Sequence, residues 1–322
     1  MWRLVRGFAG VAGVLAAVLL TAACHVSGSA VVATPPAATA SAAATVSAGT
    51  VSSAAAASSA TGPVVALGDS YTAGGLLPFD ATARPAGCLR STKAYPFLVA
   101  SALHAQLTDV ACTNAGVNMM TGPQKTYLGT NPPQLNALTP KDRLVLLTLG
   151  GDDMGFLNVL HECMLLAVFP SGSPCEQHYT VTSKTGGSTN QLDSSLTAEK
   201  PKIAHVLAEI RQRAPQARIV LVGYPDLFPQ SGGCWPAVPI TDGDVAYLRG
   251  IEVELNAMLE ADANAAGDTF VDAFTPTIGH DFCQPEKNRD IEGLLPGSLA
   301  LPFHPNAQGQ QAMANAVLKA IS

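Results

Sequence analysis

Charged side chains are scarce in this sequence: Asp, Glu, Lys and Arg together make up 13% of its 322 residues. No cluster of more than two Lys or Arg residues occurs, and the formal net charge is −6. Binding to nucleic acid needs clustered cations that neutralise phosphates. This composition therefore argues against a nucleic-acid partner.

The stretch from His25 to Gly62 contains no Asp, Glu, Lys or Arg and few large side chains. It consists almost entirely of Ala, Ser, Thr, Val, Gly and Pro, without apolar periodicity. Such a segment cannot offset its ordering entropy by burying apolar surface. We therefore expect a disordered linker over 25–62 and one folded domain over 63–322, an ordinary size for an α/β domain.

The first residues have the pattern of an export signal. Two arginines precede an apolar run from Phe8 to Leu20 that is too short to span a bilayer, and small residues follow up to Cys24. We expect residues 1–24 to be a signal peptide. Cys24 stands where a bacterial lipoprotein carries its acylated cysteine, although Thr21 replaces the usual Leu or Val. Lipidation of Cys24 and ordinary cleavage, with Cys24 lost or free, are both open.

Seven cysteines occur, and an even set of six is left when Cys24 is set aside. In an exported chain such a set predicts three disulfides, although six cysteines permit 15 pairings. The simplest pairing joins neighbours along the chain: Cys88 to Cys112, Cys163 to Cys175, and Cys234 to Cys283. A zinc site is the alternative, but the sequence has no C-x2-C or H-x3-H spacing.

Short runs rich in Val, Ile and Leu alternate with helix-like stretches in the predicted domain. The runs predict buried strands at Pro63–Leu67, Leu144–Leu149, Arg218–Val222 and Thr269–Val271, with a weaker strand ending near 109–111. The other stretches predict helices over Ala94–Leu107, Ser195–Arg213, Asp244–Ala266 and Asn306–Ile321. This alternation predicts an α/β fold, a three-layer α/β/α sandwich with about five parallel strands, whose functional site lies beyond their carboxyl ends.

A serine follows the first predicted strand in the segment Gly68-Asp69-Ser70. Gly68 permits a sharp turn, and Ser70 falls in the first turn of the next helix, where free backbone N–H groups can polarise a carbonyl. A helix N-cap is the plainer interpretation, because Asp and Ser are favoured there. The segment is not a G-x-S-x-G elbow, so the common α/β-hydrolase fold is not indicated.

Two further blocks lie at the same predicted edge of the sheet. The block 150–153 (Gly-Gly-Asp-Asp) follows the second long strand, and the block 304–306 (His-Pro-Asn) opens the last helix. The proline after His304 holds this histidine in an extended conformation outside the helix. A single histidine there is more often a surface residue. The conjunction of serine, acidic residues and histidine at one edge nevertheless indicates a catalytic site.

These three blocks, in this order and spacing, resemble those of the GDSL, or SGNH, hydrolase superfamily, with its flavodoxin-like sandwich. The six cysteines are similar to those of its secreted actinobacterial lipases and esterases, which implies disulfides in sequence order. The resemblance implies that Ser70 is the nucleophile and that His304 accepts its proton and returns it to the leaving alcohol. It also implies backbone oxyanion donors at Ser70 and in the block 114–119, where Gly116 is favoured and Met119 is the alternative.

Asp152 departs from the family, which has an asparagine oxyanion donor at this position. An ionised carboxylate would repel a developing oxyanion, so either Asp152 is held protonated beside Asp153, or it turns away and the two backbone donors suffice. Losing one such donor typically costs about 10²–10³ in turnover. The sharper hypothesis is that Asp152 works only when neutral, which gives an acid-shifted rate profile.

Leu301 is the second departure, because many family members have Asp three residues before the histidine to orient its ring. Some secreted relatives use a backbone carbonyl there instead. We expect a Ser–His dyad in which the Leu301 carbonyl accepts from the His304 ring. Asp281 and Asp290, in the preceding loops, are the fallback partners.

The sequence therefore predicts a secreted serine esterase or lipase that hydrolyses carboxylic esters without a cofactor or metal. Its expected substrate is a small ester, a lipid or an acylated glycan, with an O-acetyl glycan of the cell envelope as the alternative. The alternative function is a catalytically weak envelope or glycan-binding module, which Asp152 permits. We expect a monomer, either secreted or anchored to the outer face of the bacterial cell membrane through a lipidated Cys24.

Overall fold

The computed structural model describes residues 62–75, 77–78 and 87–322. The predicted signal peptide over 1–24, with Cys24, and the predicted linker up to residue 61 lie outside the described residues. The strands of the described part, β1 to β9, are Val64–Gly68, Leu107–Asp109, Gln124–Thr126, Gly129–Asn131, Leu144–Thr148, Thr180–Thr182, Ser188–Asn190, Arg218–Val222 and Thr269–Val271. Its helices, α1 to α8, are Ser70–Ala73, Tyr95–Ala102, Asn118–Thr121, Phe156–Leu166, Pro174–Tyr179, Gln191–Arg213, Asp242–Ala266 and Ala307–Ile321. None of these helices has the length and apolarity that crossing a membrane requires.

The central sheet has five parallel strands in the order β2-β1-β5-β8-β9. In the register of its middle strands, Leu144 of β5 lies between Val64 of β1 and Arg218 of β8. Every residue of β1 and β5 is buried, which is why these strands are continuous apolar runs instead of alternating ones. Two antiparallel pairs, β3 with β4 and β6 with β7, lie outside this sheet.

Helices cover both faces of the central sheet. On one face α6 packs against α7, and Leu207 and Leu255 belong to the same buried cluster as Leu67 of β1. On the other face α2 packs against α8, and Tyr95 and Met313 belong to the cluster around the opposite side of the strands. The predicted three-layer α/β/α sandwich is confirmed.

The helix boundaries differ from the predicted ones where local caps decide them. The predicted helix Ala94–Leu107 is too long, because α2 ends at Ala102, and His104, with a φ of 51°, turns the chain towards β2. Helices α6 and α7 begin earlier than predicted, because the side chains of Asn190 and Thr241 cap them by accepting backbone N–H groups.

Three disulfides join cysteines in sequence order: Cys88 to Cys112, Cys163 to Cys175, and Cys234 to Cys283. This is the pairing that the family resemblance implies. The second disulfide ties the end of α4 to α5, and the third ties the loop after β8 to the loop before α8. The loops that surround the carboxyl edge of the sheet are therefore linked covalently.

Candidate active site

Ser70 is the first residue of α1, at the point where β1 reaches the carboxyl edge of the sheet. Gly68 has a φ of 121°, and a Cβ there would lie 2.2 Å from the Thr148 carbonyl oxygen, so this turn requires glycine. The Asp69 side chain caps α1 by accepting the Tyr71 N–H at 2.9 Å. The capping role therefore belongs to Asp69, and the Ser70 hydroxyl is left for another partner.

His304 is that partner. Its Nε2 lies 2.7 Å from Ser70 Oγ, although 234 positions separate the two residues in the sequence. His304 stands just before α8, whose N-cap Asn306 accepts from two backbone N–H groups of the first turn. Only 4% of Ser70 and 2% of His304 is exposed. The structure thus brings the predicted nucleophile and the predicted base into direct contact.

A backbone carbonyl orients the His304 ring. Nδ1 donates to the Pro302 carbonyl oxygen at 2.7 Å, which leaves Nε2 free to accept from the Ser70 hydroxyl. The prediction of the Leu301 carbonyl is wrong, because that oxygen accepts from the His304 backbone N–H at 3.2 Å. The reason is Phe303, whose φ of 60° turns the chain so that the Pro302 carbonyl faces the ring.

The fallback carboxylates do not orient His304, because both ring nitrogens are already paired. Asp281 instead accepts from the Cys283 N–H at 2.9 Å and from the Gln284 amide at 3.0 Å. Burial lowers the pKa of His304 to about 4, against the opposing effect of its bond to the Pro302 carbonyl. The imidazole is therefore neutral at neutral pH, which is the form that a base needs.

Two side chains hold the nucleophile helix and the histidine loop together. The Tyr71 hydroxyl donates to the Phe303 carbonyl oxygen at 2.8 Å, and its ring centroid lies 4.9 Å from that of His304. Gln310 of α8 donates to the Tyr71 carbonyl at 2.9 Å and accepts from the Tyr95 N–H at 2.7 Å. These bonds fix the serine and the histidine relative to each other independently of their own contact.

Asp152 lines the same cleft as Ser70 and His304. Its Oδ2 is buried and has no hydrogen-bond partner among the residues that the structure describes. Burial, and then the neighbouring Asp153, raise the pKa of Asp152 to about 6. The neutral carboxyl can donate a hydrogen bond into the cleft and the ionised one cannot, so this side chain changes its chemical role close to neutral pH.

Gly116 packs against Asp153. A Cβ at Gly116 would lie 2.4 Å from Asp153 Oδ1, and the Val117 N–H donates to the two Asp153 oxygens at 2.8 and 3.0 Å. Neither Gly116 nor Met119 is among the described residues that line the cleft. Asp153 therefore fixes the position of this loop, while the predicted backbone oxyanion donor within it stays a prediction.

Tyr224 connects the turns that follow three different strands. Its hydroxyl donates to Asp69 Oδ2 at 2.5 Å and accepts from the Gly151 N–H at 2.8 Å. Asn256 of α7 holds the Tyr224 backbone through two hydrogen bonds, at 2.8 and 3.1 Å. Sequence reasoning missed this residue, although its place just after β8 at the carboxyl edge of the sheet was an available signal.

A small cleft lies beside Ser70. Its apolar lining residues are Phe156, Leu157, Leu227 and Leu255. Glu252 of α7 also lines it and is a second residue that sequence reasoning missed. No group of three or more His, Cys, Asp or Glu side chains in the described part of the chain is placed to hold a metal ion. Because its lining is largely apolar, the cleft suits an apolar acyl group whose carbonyl carbon lies at Ser70.

Comparisons with known proteins agree with this geometry. Residues 66–312 match the GDSL-like Lipase/Acylhydrolase family. Lipase 2 of Streptomyces coelicolor is 39% identical over 259 residues, which are 78% of this chain and 82% of that protein. The crystal structure of phospholipase A1 from Streptomyces albidoflavus NA297 has a TM-score of 0.65 and 25% identity, and the alignment covers 81% of this chain and 100% of that one. The extracellular lipase of Streptomyces rimosus shares the fold, with a TM-score of 0.64 and 24% identity. That alignment covers 81% of this chain and 100% of the lipase. The chain therefore belongs to the GDSL-like lipase/acylhydrolase family and is a carboxylic ester hydrolase.

Proposed function

We propose that this protein is a serine esterase that hydrolyses carboxylic esters through an acyl-enzyme on Ser70. The observation that carries the proposal is the 2.7 Å contact between Ser70 Oγ and His304 Nε2 beside an apolar cleft. A serine hydroxyl is a weak nucleophile until a neighbouring base removes its proton. The low pKa of His304, about 4, keeps the imidazole available as that base.

The reaction proceeds in two acyl-transfer steps. Ser70 Oγ attacks the ester carbonyl carbon while His304 Nε2 takes the hydroxyl proton. The bond to the alcohol then breaks, and His304 returns the proton to the departing alcohol oxygen. Water attacks the acyl-enzyme in the same way, giving a proton to His304, and the acid leaves as Ser70 regains its proton. Throughout, Nδ1 donates to the Pro302 carbonyl. The dyad therefore needs no carboxylate as a third member.

In this proposal, three hydrogen-bond donors stabilise the oxyanion. The Ser70 backbone N–H is one, because the first N–H groups of a helix have no partner within it. The neutral carboxyl of Asp152 is the second, since its buried Oδ2 has no partner among the described residues. The Gly116 N–H, assigned through the family resemblance, is the third.

Covalent labelling with a fluorophosphonate tests the nucleophile. The parent protein is expected to hydrolyse p-nitrophenyl butyrate and to carry one label on the peptide that contains Ser70. Ser70→Ala should lose both the label and the hydrolysis, whereas Ser101→Ala, which changes an exposed serine of α2, should keep both. A label on another residue, or hydrolysis by Ser70→Ala at the parent rate, would contradict the proposal.

Small esters and lipids are the proposed substrates, and the hydrolase domain is proposed to span 63–322. The apolar lining of the cleft supports an alkyl-bearing acyl group. Relatives named lipase and phospholipase A1 support a lipid ester. The family match over 66–312 supports the domain boundaries.

Export of the chain through residues 1–24 is also proposed, because three disulfides persist only in an oxidising compartment. In a Streptomyces host the protein is expected outside the cytoplasm and shortened at its N-terminus, with Cys24 retained if it is acylated. The mass of its N-terminal peptide, compared with that of Cys24→Ser, decides between an acylated Cys24 at the membrane and ordinary cleavage. Retention of the intact chain in the cytoplasm would contradict export.

A further inference from the structure

Glu292 is a fully buried acidic residue in the loop before α8, and the proposed acyl-transfer steps do not use it. Burying a charge is costly unless it gains partners. Its Oε1 accepts from the Ser298 hydroxyl at 2.8 Å and from the Asn306 amide at 3.0 Å. Its Oε2 accepts from the Gly297 N–H at 2.8 Å and from the Arg289 guanidinium at 2.5 Å. Each oxygen of the buried carboxyl group therefore has two donors.

These four donors keep the Glu292 carboxyl group ionised at neutral pH. Burial raises its pKa, but the hydrogen bonds from three of the donors and the positive charge of Arg289 bring the pKa below its usual range. Hydrogen bonds to an ionised acceptor are stronger than those between neutral groups. The contacts of Glu292 are therefore among the strong polar contacts that hold this loop.

The partners of Glu292 lie on both sides of His304 along the chain. Ser298 precedes the histidine, and Asn306, the N-cap of α8, follows it. The Glu292 backbone pairs with the segment between them. Its N–H donates to the His304 carbonyl, and its carbonyl accepts from the Phe303 N–H, each at 3.0 Å. Glu292 therefore holds the loop at both ends and in the middle.

Phe303, in the middle of this loop, has a conformation that needs support. Its φ of 60° lies in the left-handed region, which a residue other than glycine keeps only where surrounding contacts impose it. The Tyr71 hydroxyl holds the Phe303 carbonyl, and Glu292 holds the Phe303 N–H. With this φ, the Pro302 carbonyl lies 2.7 Å from His304 Nδ1. The contact that sets the histidine tautomer therefore depends on how firmly this loop is held.

We propose that Glu292 is a positioning residue for the base: by closing the loop around His304, its carboxylate holds the Pro302 carbonyl against Nδ1. This inference rests on the proposed function, since it assumes that His304 is the base. In a catalytic triad a carboxylate contacts the histidine directly. Here the group in contact is a neutral carbonyl, and the buried carboxylate acts through the backbone of the loop that carries this carbonyl.

The first test is kinetic and uses Glu292→Gln, which keeps the size of the side chain but removes its charge and two acceptor positions. The variant is expected to have a kcat for p-nitrophenyl butyrate about 10- to 100-fold below that of the parent, because a misplaced base costs rate. KM should stay unchanged, since Glu292 is not among the described residues that line the cleft. Glu260→Gln, which changes an exposed glutamate of α7, should keep the parent kcat. A parent kcat in Glu292→Gln, or a loss that lies in KM alone, would overturn the proposal.

The proton NMR signal of His304 Nδ1–H reports the positioned contact directly. A ring N–H in a short hydrogen bond resonates far downfield, and burial of the ring slows its exchange with water. The parent is expected to show one such signal that His304→Ala lacks. In Glu292→Gln the signal should move upfield or disappear, while in Glu260→Gln it should stay in place. A parent without this signal, or an unchanged signal in Glu292→Gln, would refute the role of Glu292.

Ser298→Ala provides a second variant, which serves if Glu292→Gln does not fold. Ser298 is exposed, and its replacement removes one donor from Oε1 while the charge of Glu292 stays. The expected loss of kcat is about threefold, the effect of one weakened hydrogen bond. The Nδ1–H signal should move in the same direction as in Glu292→Gln, but less. A Ser298→Ala protein with the parent kcat and the parent signal would count against the proposal.

The same measurements distinguish this inference from the proposed function. If the parent labels at Ser70 and His304→Ala is inactive, while Glu292→Gln and Ser298→Ala both match the parent, only the role of Glu292 fails. If the parent neither labels nor hydrolyses esters, the esterase function fails, and the positioning proposal falls with it.

Discussion

Replacing His304 with alanine is expected to lower kcat for p-nitrophenyl butyrate by about 10⁴- to 10⁶-fold. The physical reason is the loss of the group that lies 2.7 Å from Ser70 Oγ and takes its proton. The oxyanion donors and the cleft stay in place in this variant, so a residual rate above that of water is expected. Steady-state kinetics with the purified variant, together with a thermal melt that shows a folded protein, provides the measurement.

His280 is a matched control for this substitution. It is an exposed histidine in the loop before α8, and its Nδ1 also meets a backbone carbonyl, that of Asn288, at 2.6 Å. It has no contact with Ser70, so His280→Ala should keep the parent kcat. A loss of less than tenfold in His304→Ala, or equal losses in both variants, would show that His304 is not the base.

In the proposed dyad, no acidic residue is required next to His304. The Pro302 carbonyl accepts the Nδ1 proton at 2.7 Å and sets the tautomer, as a carboxylate does in a triad. Burial lowers the pKa of His304 more than its bond to the neutral Pro302 carbonyl raises it, so that the pKa is about 4. The rate is therefore expected to rise with pH only through the acidic range, where His304 loses its proton.

The strands of the central sheet could be predicted from the sequence, but the hairpin outside the sheet could not. Strands at Arg218–Val222 and Thr269–Val271 have the predicted bounds. The first is a continuous apolar run after Arg218, because it is buried between two helix layers, whereas the second lies at the edge of the sheet and is only partly buried. The hairpin of Thr180–Thr182 and Ser188–Asn190 was not predicted, because all its residues except Val181 are polar and most are exposed, so that it has no apolar pattern.

The candidate site was predictable where residues sit in recognisable blocks. Ser70, Asp152 and His304 each follow a strand or precede a helix at one edge of the sheet, and the structure places all three on one cleft. Whether the Leu301 or the Pro302 carbonyl faces the ring depends on the left-handed φ of Phe303. This φ could not be predicted, because residues other than glycine seldom adopt it.

Tyr224 and Glu252 were missed because their roles arise from contacts between distant segments. Tyr224 meets Asp69 across 155 positions. Glu252 did leave a signal, since it falls on the apolar face of α7 beside Ile251 and Leu255. A charged residue on a helix face that otherwise packs inwards is seldom buried without a partner or a function.

Replacing Asp152 with asparagine is expected to remove the alkaline fall in the rate. Above its pKa of about 6, Asp152 ionises, and a negative carboxylate opposes the oxyanion and cannot donate to it. The neutral fraction falls tenfold per pH unit, so the parent kcat/KM at about pH 8 should be about 100-fold below its maximum. An amide donates at every pH, so Asp152→Asn should keep its activity there and exceed the parent.

The acidic limb should be the same in both proteins, since it reports His304, whose pKa is about 4. The parent is thus expected to show a bell with its maximum between the two pKa values, and Asp152→Asn a rise followed by a plateau. Asp69 and Asp153 lie near Asp152, and burial raises the pKa of Asp69 too. The alkaline fall in the parent rate therefore reports the titration of these three interacting carboxyl groups together.

Asp193→Asn separates this effect from a change in net charge. Asp193 is an exposed carboxylate in the first turn of α6, so its removal alters the charge of the protein without touching the cleft. Its pH profile should superimpose on that of the parent, while that of Asp152→Asn should not. Superimposable profiles for Asp152→Asn and the parent would mean that Asp152 turns away from the oxyanion, and that the backbone N–H groups alone stabilise it.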